Sequence, residues 1–484
     1  MGFFNAKNKV EQMQIPIVNG IYTDVTADYR TSYPLNLVPV PKQNGIANGY
    51  LRKADGIALF CGADKGGIDR GGINWNGVCY RVIGSTLWRI DKQGHCTSIG
   101  TVSGGEQCSF AYSFDRLGIS SGGKLYYLKD NKLEQVTNAN LGTVVDVEWI
   151  DGYFVTTDGE FVIQTELNDP TQVSPTKYGS SEADPDPIIG LMKVRNELVV
   201  LNRYTIEVFS NTGSAGFAFA RVDGAMMTKG LISTQGKCLF AQSFAFVGSG
   251  KNEPCSVYLG ANGGLSKIAT REIERIISEY SDAQLATIVL EAKEQEMHQH
   301  LYLHLPDRTL VFDFAATQIM QQPIWFELSS STDGKGAYRA INHVWCYNKW
   351  IVGDRFNSNV GVLSNKLSSH YGEPVCWQID TTFIYNGGQS GQIKSIELVG
   401  LTGRTNDMPD PKVFLSWTKD GLTWSNERLH RQGMRGQYNK RIIWLRAIGM
   451  FRQAIGLRFR GCDDSLASFT AIEADVEAYD NGGQ

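Results

Sequence analysis

Seven short stretches decide the fold: GSTLWRID (84–91), GGKLYYLKD (122–130), DGEFVIQTE (158–166), RYTIEVFSN (203–211), PCSVYLGANGG (254–264), DRTLVFDF (307–314) and SNVGVLSN (358–365). Each is a β-branched and aromatic run introduced by glycine or a charged turn, the pattern of a strand leaving a tight turn. Successive stretches begin 36 to 53 residues apart, close to the length of a propeller blade. An earlier apolar strand precedes several of them: VCYRVIG (78–84), VEWIDGYFVTTD (147–158) and HVWCYNKWIVGD (343–354). Strand pairs with turn residues between them are the content of a blade. Because the intervals vary and no helix recurs, an irregular propeller of six or seven blades over residues 71–368 fits better than a solenoid. A pair of irregular β-sandwiches is the alternative.

Working outward, residues 1–70 read as an extended arm with strands, since Pro34, Pro39 and Pro41 forbid helix in SYPLNLVPVPKQNGIANGYLRKADGI (32–57). One helical insertion interrupts the propeller near 271–292. Ile273, Ile276, Ile277 and Tyr280 recur at helical spacing there, and Ser281 with Gln284 forms a capping box that starts a second turn of helix. Residues 369–484 lose the blade rhythm. The longer strands IKSIELVGLTG (393–403), PKVFLSWTKDGLTWS (411–425), AIGLRFRG (454–461) and FTAIEADVEAY (469–479) indicate a separate β-sandwich-like domain. Its Asp420–Gly421 pair, flanked by Phe414, Trp417 and Trp424, signals a hairpin. The fold class is therefore mainly β, with few short helices.

The chain has 484 residues, too many for one ordinary core unless the fold is a propeller. Its 46 basic and 50 acidic side chains leave a net charge of -4, so no global field draws in DNA or an anionic membrane. No apolar run reaches the roughly 20 residues of a spanning helix. The opening MGFFNAKNKVEQ lacks a signal-peptide stretch, and Ala6 stands where a myristoylation signal needs Ser or Thr, so Gly2 is expected unacylated. Nine scattered cysteines without a C-x-x-C pair read as small buried apolar residues of a protein made in the cytosol.

Few residues advertise chemistry. His298, His300 and His304 in MHQHLYLHLPD (297–307) share one strand face, as a metal site would need. No fourth ligand follows at recognisable spacing, so a solvated or interface face is favoured, and no metal or cofactor is expected. SWTKDGLTWS (416–425) resembles the Asp-box turn of sialidase-like propellers, but Asp420 adjoins Gly421 instead of standing two residues before it. A glycosidase also needs two carboxylates about 5 to 9.5 Å apart, and no such pair can be picked out. In SSEADPDPIIG (180–190), Asp184 and Asp186 flank Pro185 in what reads as a rigid loop entering a strand.

The one strong charge asymmetry runs from Arg428 to Arg460: Arg428, Arg431, Arg435, Lys440, Arg441, Arg446, Arg452, Arg458 and Arg460, with no acid between them. In GLRFRG the alternation puts Arg458 and Arg460 on one face and Leu457 and Phe459 on the other. Lys440, Arg441, Arg446, Arg452, Arg458 and Arg460 are the candidate partner or DNA contacts. Pairing between subunits is favoured over DNA phosphates, with Glu473, Asp475 and Glu477 as acidic counterparts.

The chain resembles the tail-hub family of short-tailed Salmonella-type bacteriophages, also called packaged-DNA stabilisation proteins or tail accessory factors. The resemblance rests on YPLNLVP (33–39) with GYLRKADGIA (49–58), DPIIGLMKVRNELVV (186–200) with TIEVFSNTG (205–213), MMTKGLIST (226–234), EIERIISEYSDAQLATIVLEA (272–292) with HLYLHLPDRTLVFDF (300–314), and KRIIWLRAIGMFRQAIGLRFRG (440–461). It spans most of the chain and weakens before residue 140 and around Asn406 to Pro411. It implies a non-enzymatic structural subunit of the virion tail, assembled in the host cytoplasm as a homohexamer. That ring would sit below the portal-adaptor complex, close the DNA channel, and support the tail needle and tailspikes, with non-specific contact to packaged DNA and none to membrane. A carbohydrate-active propeller enzyme of a phage tail is the alternative, and a monomeric binding propeller a third.

Overall fold

The computed structural model describes residues 10–24, 29–31, 33–42, 48–62, 66–181, 184–261, 264–385, 390–405, 410–446 and 448–479. Gly2, Ala6 and residues 406–409 of the divergent loop lie outside them. The chain divides into two compact units, one of residues 59–306 and 339–363, the other of 1–58, 307–338 and 364–484.

The first unit is a β-propeller. Its first sheet comprises Asp69–Trp75, Val78–Ile83, Thr86–Ile90 and Cys96–Thr101, and its second Ser109–Tyr112, Leu117–Ser121, Lys124–Lys129 and Lys132–Gln135. Three further antiparallel sheets span 146–180, 188–221 and 230–267. A sixth set starts with Val289–Gln295 paired to His298–His304, and a seventh with Ala340–Cys346 paired to Lys349–Asp354. Neighbouring first strands follow one another round a ring, and Ala340–Cys346 returns beside Asp69–Trp75. The two-residue turns inside these sheets place both central residues at positive φ, as at Asn76 (51°) with Gly77 (76°) and Asp151 (51°) with Gly152 (92°). That geometry matches the twist of the flanking strands.

Apolar layers fill the space between successive sheets. Leu87, Leu117, Ile119 and Leu128 pack between the first and second, and Leu125, Val147, Phe154 and Ile163 between the second and third. Cys61, Cys79 and Cys346 join Ile83, Ile90 and Ile351 in the layer that closes the ring.

Polar ties near the first strands cross from sheet to sheet. The fully buried Arg70 guanidinium donates to the carbonyls of Gly84, Ser103 and Glu106 and to the Ser121 hydroxyl. Asp146 accepts the Leu191 N–H at 2.8 Å and pairs with Lys237 at 2.9 Å. Asp69 binds the buried Arg81 through two bonds of 2.7 and 2.9 Å and accepts the Asn342 amide at 2.7 Å. Such ties satisfy buried polar groups and hold neighbouring sheets in one register. A cavity of about 500 Å³ opens where the segments leading into these strands converge, lined by Gln107, Ser120, Thr143, Val145, Gln235 and Ile288.

The helical insertion forms as its sequence dictates. Arg271–Ser278 buries Ile273, Ile276 and Ile277, and Asp282–Leu285 starts at Ser281, whose side chain and that of Gln284 make the reciprocal capping bonds. No helix among the described residues is long and apolar enough to cross a membrane.

The second unit is the β-sandwich. One sheet has the order Leu37–Pro41, Gly49–Lys53, Ser468–Tyr479, Ser390–Leu401, Ile443–Leu445, with Val10–Ile15 also on Ser468–Tyr479. The segments read as an arm thus join a sheet, and Pro39 and Pro41 sit on its edge strand, where a missing N–H costs no ladder bond. The other sheet runs Trp377–Asp380, Ala454–Gly461, Lys412–Thr418, Arg428–Arg431. Trp377, Leu415, Leu457, Phe459, Phe469 and Ile472 fill the core between them. A third helix, Phe314–Met320, begins at an Asp313 cap and was not foreseen.

Two expectations need correction. Cys376 and Cys462 are not free apolar residues but form a disulfide across 86 residues of chain. Trp377 pairs with Gly461, so the next residue outward on each strand faces the other. His298, His300 and His304 present no solvated face, because all three are buried. Their strand lies inside the propeller with both of its faces covered, as a blade requires and an isolated amphipathic strand does not.

Candidate partner-binding surface

The basic segment 428–460 runs through both sheets of the sandwich. Arg428–Arg431 is the edge of one sheet and Ile443–Leu445 the edge of the other. The Trp444 indole N–H bonds the Arg428 carbonyl at 3.0 Å and ties the two edges together. Trp444 also packs its ring on Phe459 and His430.

Five of the nine cations here are neutralised within the unit. Arg458 grips Asp380 with two bonds of 2.8 and 2.7 Å and lies 3.7 Å over the Trp424 ring. Arg460 pairs with Glu427, Arg441 with Glu397, and Lys440 with Asp410 at 3.1 Å. Arg431 reaches the same Asp410 at 4.0 Å. Glu397 raises the already high pKa of Arg441, with Glu473 and Asp475 adding to its field. Within the chain, the acidic strand read as a counterpart between subunits has local contacts: Glu477 pairs with Lys394 at 2.6 Å, and Asp475 accepts the Ser395 hydroxyl. The alternation read from GLRFRG holds, with Leu457 and Phe459 fully buried and the two arginines on the other face.

Arg428, Arg435, Arg446 and Arg452 are different. All four are exposed, and among the described residues none meets a carboxylate. They alternate with exposed large apolar side chains: Leu429, Met434, Tyr438, Leu445 and Met450, of which Leu445 keeps 69% of its surface. Arginine, methionine and tyrosine are the residue types enriched where proteins meet, and exposed strand edges invite pairing unless covered or charged.

Of the six residues singled out from sequence, the structure thus leaves Arg446 and Arg452 free and gives Lys440, Arg441, Arg458 and Arg460 partners inside the chain. Sequence reading missed Asp380, Glu397, Asp410 and Glu427. Only the register could reveal the first, because Asp380 stands directly opposite Arg458 across two strands 78 residues apart.

Beside Arg458 a cleft of about 560 Å³ is lined by Trp424, Asp380, Asp307, Glu327 and Lys335. Both Asp380 oxygens are held by Arg458, and Gln378 adds a third bond at 3.0 Å, so this carboxylate is a structural anchor. Asp420 accepts the Thr423 hydroxyl and the N–H groups of Thr423 and Leu422, which shapes the turn and holds its carboxyl well below the usual range.

The model of the family described as bacteriophage P22 Gp10, β-propeller, matches residues 13–368, and that of the P22 Gp10 β-sandwich matches residues 376–477. The chain belongs to the P22 Gp10 family. It is 29% identical to the tail hub protein gp10 of Salmonella phage P22 over 96% of this chain and 99% of that protein. It is a Gp10-like tail hub protein of a phage virion tail, a structural family. Solved structures with similar folds include the N-terminal domain of Nup159, at TM-score 0.41 and 10% identity over 69% of this chain and 99% of that one. BamB from Moraxella catarrhalis follows at TM-score 0.39 and 13% identity, over 73% and 98%.

Proposed function

We propose that this Gp10-like chain is the ring-forming hub subunit of a short-tailed phage: a homohexamer below the portal-adaptor complex that closes the DNA channel and carries the tail needle and tailspikes. The sandwich edge from Arg428 to Arg452 then serves as a contact to a neighbouring virion protein. The observation that carries the reading is the alternation of Arg428, Arg435, Arg446 and Arg452 with exposed Leu429, Tyr438, Leu445 and Met450. Apolar side chains gain nothing against phosphate but bury well against protein, so a protein partner fits this edge better than DNA. Subunits joined head to tail need a heterologous interface, and such an edge supplies one half of it. Retention of packaged DNA asks for stiffness instead of a chemical step, and the polar ties between propeller sheets supply that.

The test is electron microscopy of the recombinant protein, alone and mixed with portal-adaptor complexes that lack the tail, with binding scored by co-sedimentation. Six-fold density added below the adaptor is expected. A chain that stays monomeric and never binds overturns the proposal, and turnover of host polysaccharide would favour the carbohydrate-active alternative.

A further inference from the structure

A separate cluster lies inside the propeller. Glu291 stands in Val289–Gln295, and His304 ends the strand paired with it. His343 comes from Ala340–Cys346 at a bulge, where the ladder shifts between Ile341 and Val344 and Asn342 takes a φ of 57°. The bulge turns two consecutive backbone N–H groups toward the Glu291 carboxylate: Asn342 to Oε1 at 3.1 Å and His343 to Oε2 at 2.7 Å. Two imidazole nitrogens meet the same carboxylate, His304 Nε2 at 2.5 Å and His343 Nδ1 at 3.0 Å, both on Oε1.

The arrangement does not close as a hydrogen-bond network. Oε1 already uses its two lone pairs on the Asn342 N–H and His304 Nε2, which leaves His343 unsatisfied beside it. The His343 side chain is 0% exposed, and neither of its ring nitrogens makes a hydrogen bond, although Nδ1 lies 3.0 Å from Glu291 Oε1. The Tyr302 ring lies 4.6 Å from the His343 ring and 6.0 Å from that of His304, holding both imidazoles in place. One donor atom from each of Glu291, His304 and His343 lies within 4.8 Å of the other two. Neutral imidazole and carboxylate are the donors that suit zinc and its neighbours among the divalent transition metals. A cation at this point would accept a lone pair from the buried His343 ring, whose nitrogens otherwise have no hydrogen-bond partner.

We propose that Glu291, His304 and His343 bind one divalent transition-metal ion of the zinc class, which clasps the sixth set of propeller strands to the seventh. The three residues come from three strands of two neighbouring sheets, so the ion's role is structural. Its binding free energy adds directly to the stability of the folded propeller.

The protein, prepared without a histidine tag, is assayed for metal by mass spectrometry, stripped with EDTA, and titrated with Zn²⁺ by calorimetry. About one equivalent of tightly held zinc per chain is expected, with a thermal midpoint that rises on zinc addition and falls back with EDTA. His343→Ala and His304→Gln are expected to weaken zinc at least ten-fold, whereas His95→Gln and His430→Gln bind as the parent does. Failure of the parent chain to hold stoichiometric zinc, or unchanged affinity in both cluster variants, overturns the proposal. Should those variants not fold, the Co²⁺ spectrum of the parent decides: bands of a nitrogen- and oxygen-ligated ion support the site, and a thiolate charge-transfer band places the metal on cysteine and refutes it.

Discussion

Asp69 shows how much rests on single side chains. It is fully buried, bonds Arg81 twice and anchors Asn342, and the closest space to its carboxylate belongs to Gly353. A Cβ at position 353 would stand 2.1 Å from the Asp69 carboxyl carbon. Gly353→Ala is therefore expected to push Asp69 off Arg81 and cost about 3 to 5 kcal/mol, the usual penalty for uncoupling a buried pair; urea unfolding measures it, and a loss below about 1 kcal/mol would contradict the account. Glu148 makes the opposite kind of prediction. Burial pushes its carboxyl from 4.5 up to about 7, against the pull of Lys237 and with the push of Asp146. The folded state then keeps a proton that the unfolded chain releases, so this group makes stability fall as pH rises between about 4.5 and 7. Glu148→Gln is expected to raise the melting temperature more at pH 8 than at pH 5, and an equal effect at both would refute the assignment. Neither residue advertises itself in sequence, because desolvation depends on which strands cover it.

At the scale of elements, local chemistry was legible wherever it alone decides the outcome. Asn76–Gly77 and Asp151–Gly152 carry the residues their turns demand, and the Ser281–Gln284 capping box forms as read. The same turn geometry at Glu296–Met297 was not legible. There the flanking ladders impose positive φ on residues with little preference for it. The disulfide was hidden for a related reason, since 86 residues separate Cys376 from Cys462 and only strand pairing brings them together. Closing a loop of that length restricts the unfolded chain, so reduction or Cys462→Ser is expected to cost about 2 to 4 kcal/mol. Urea unfolding with and without reductant tests this, and identical midpoints would show that the crosslink contributes nothing. The strand His298–His304 carries the same lesson: its period was correctly read, but burial of both faces belongs to the blade around it.

For the whole molecule, the charge that matters is what remains after internal pairing. Nine cations between Arg428 and Arg460 suggest a strongly basic surface, yet five are met by acids of the same unit. The double substitution Arg446→Glu with Arg452→Glu leaves the core untouched and should change stability by no more than about 0.5 kcal/mol. It is expected to weaken binding to portal-adaptor complexes or ring formation at least ten-fold in co-sedimentation. Assembly at the parent level would remove this edge from the interface.

What the sequence by itself determined is the class of architecture: strand periodicity and turn residues give a β-rich chain of blade-like repeats followed by longer strands, because these signals act within a few residues of chain. The five blocks of family resemblance carried the tail-hub reading, which the match over nearly the whole chain then placed on firm ground. Only the tertiary structure decided which charges are spent inside the fold, which cysteines meet, and that Glu291, His304 and His343 converge. Those outcomes depend on register between strands far apart in sequence, and a one-residue slip in register turns every side chain to the other face.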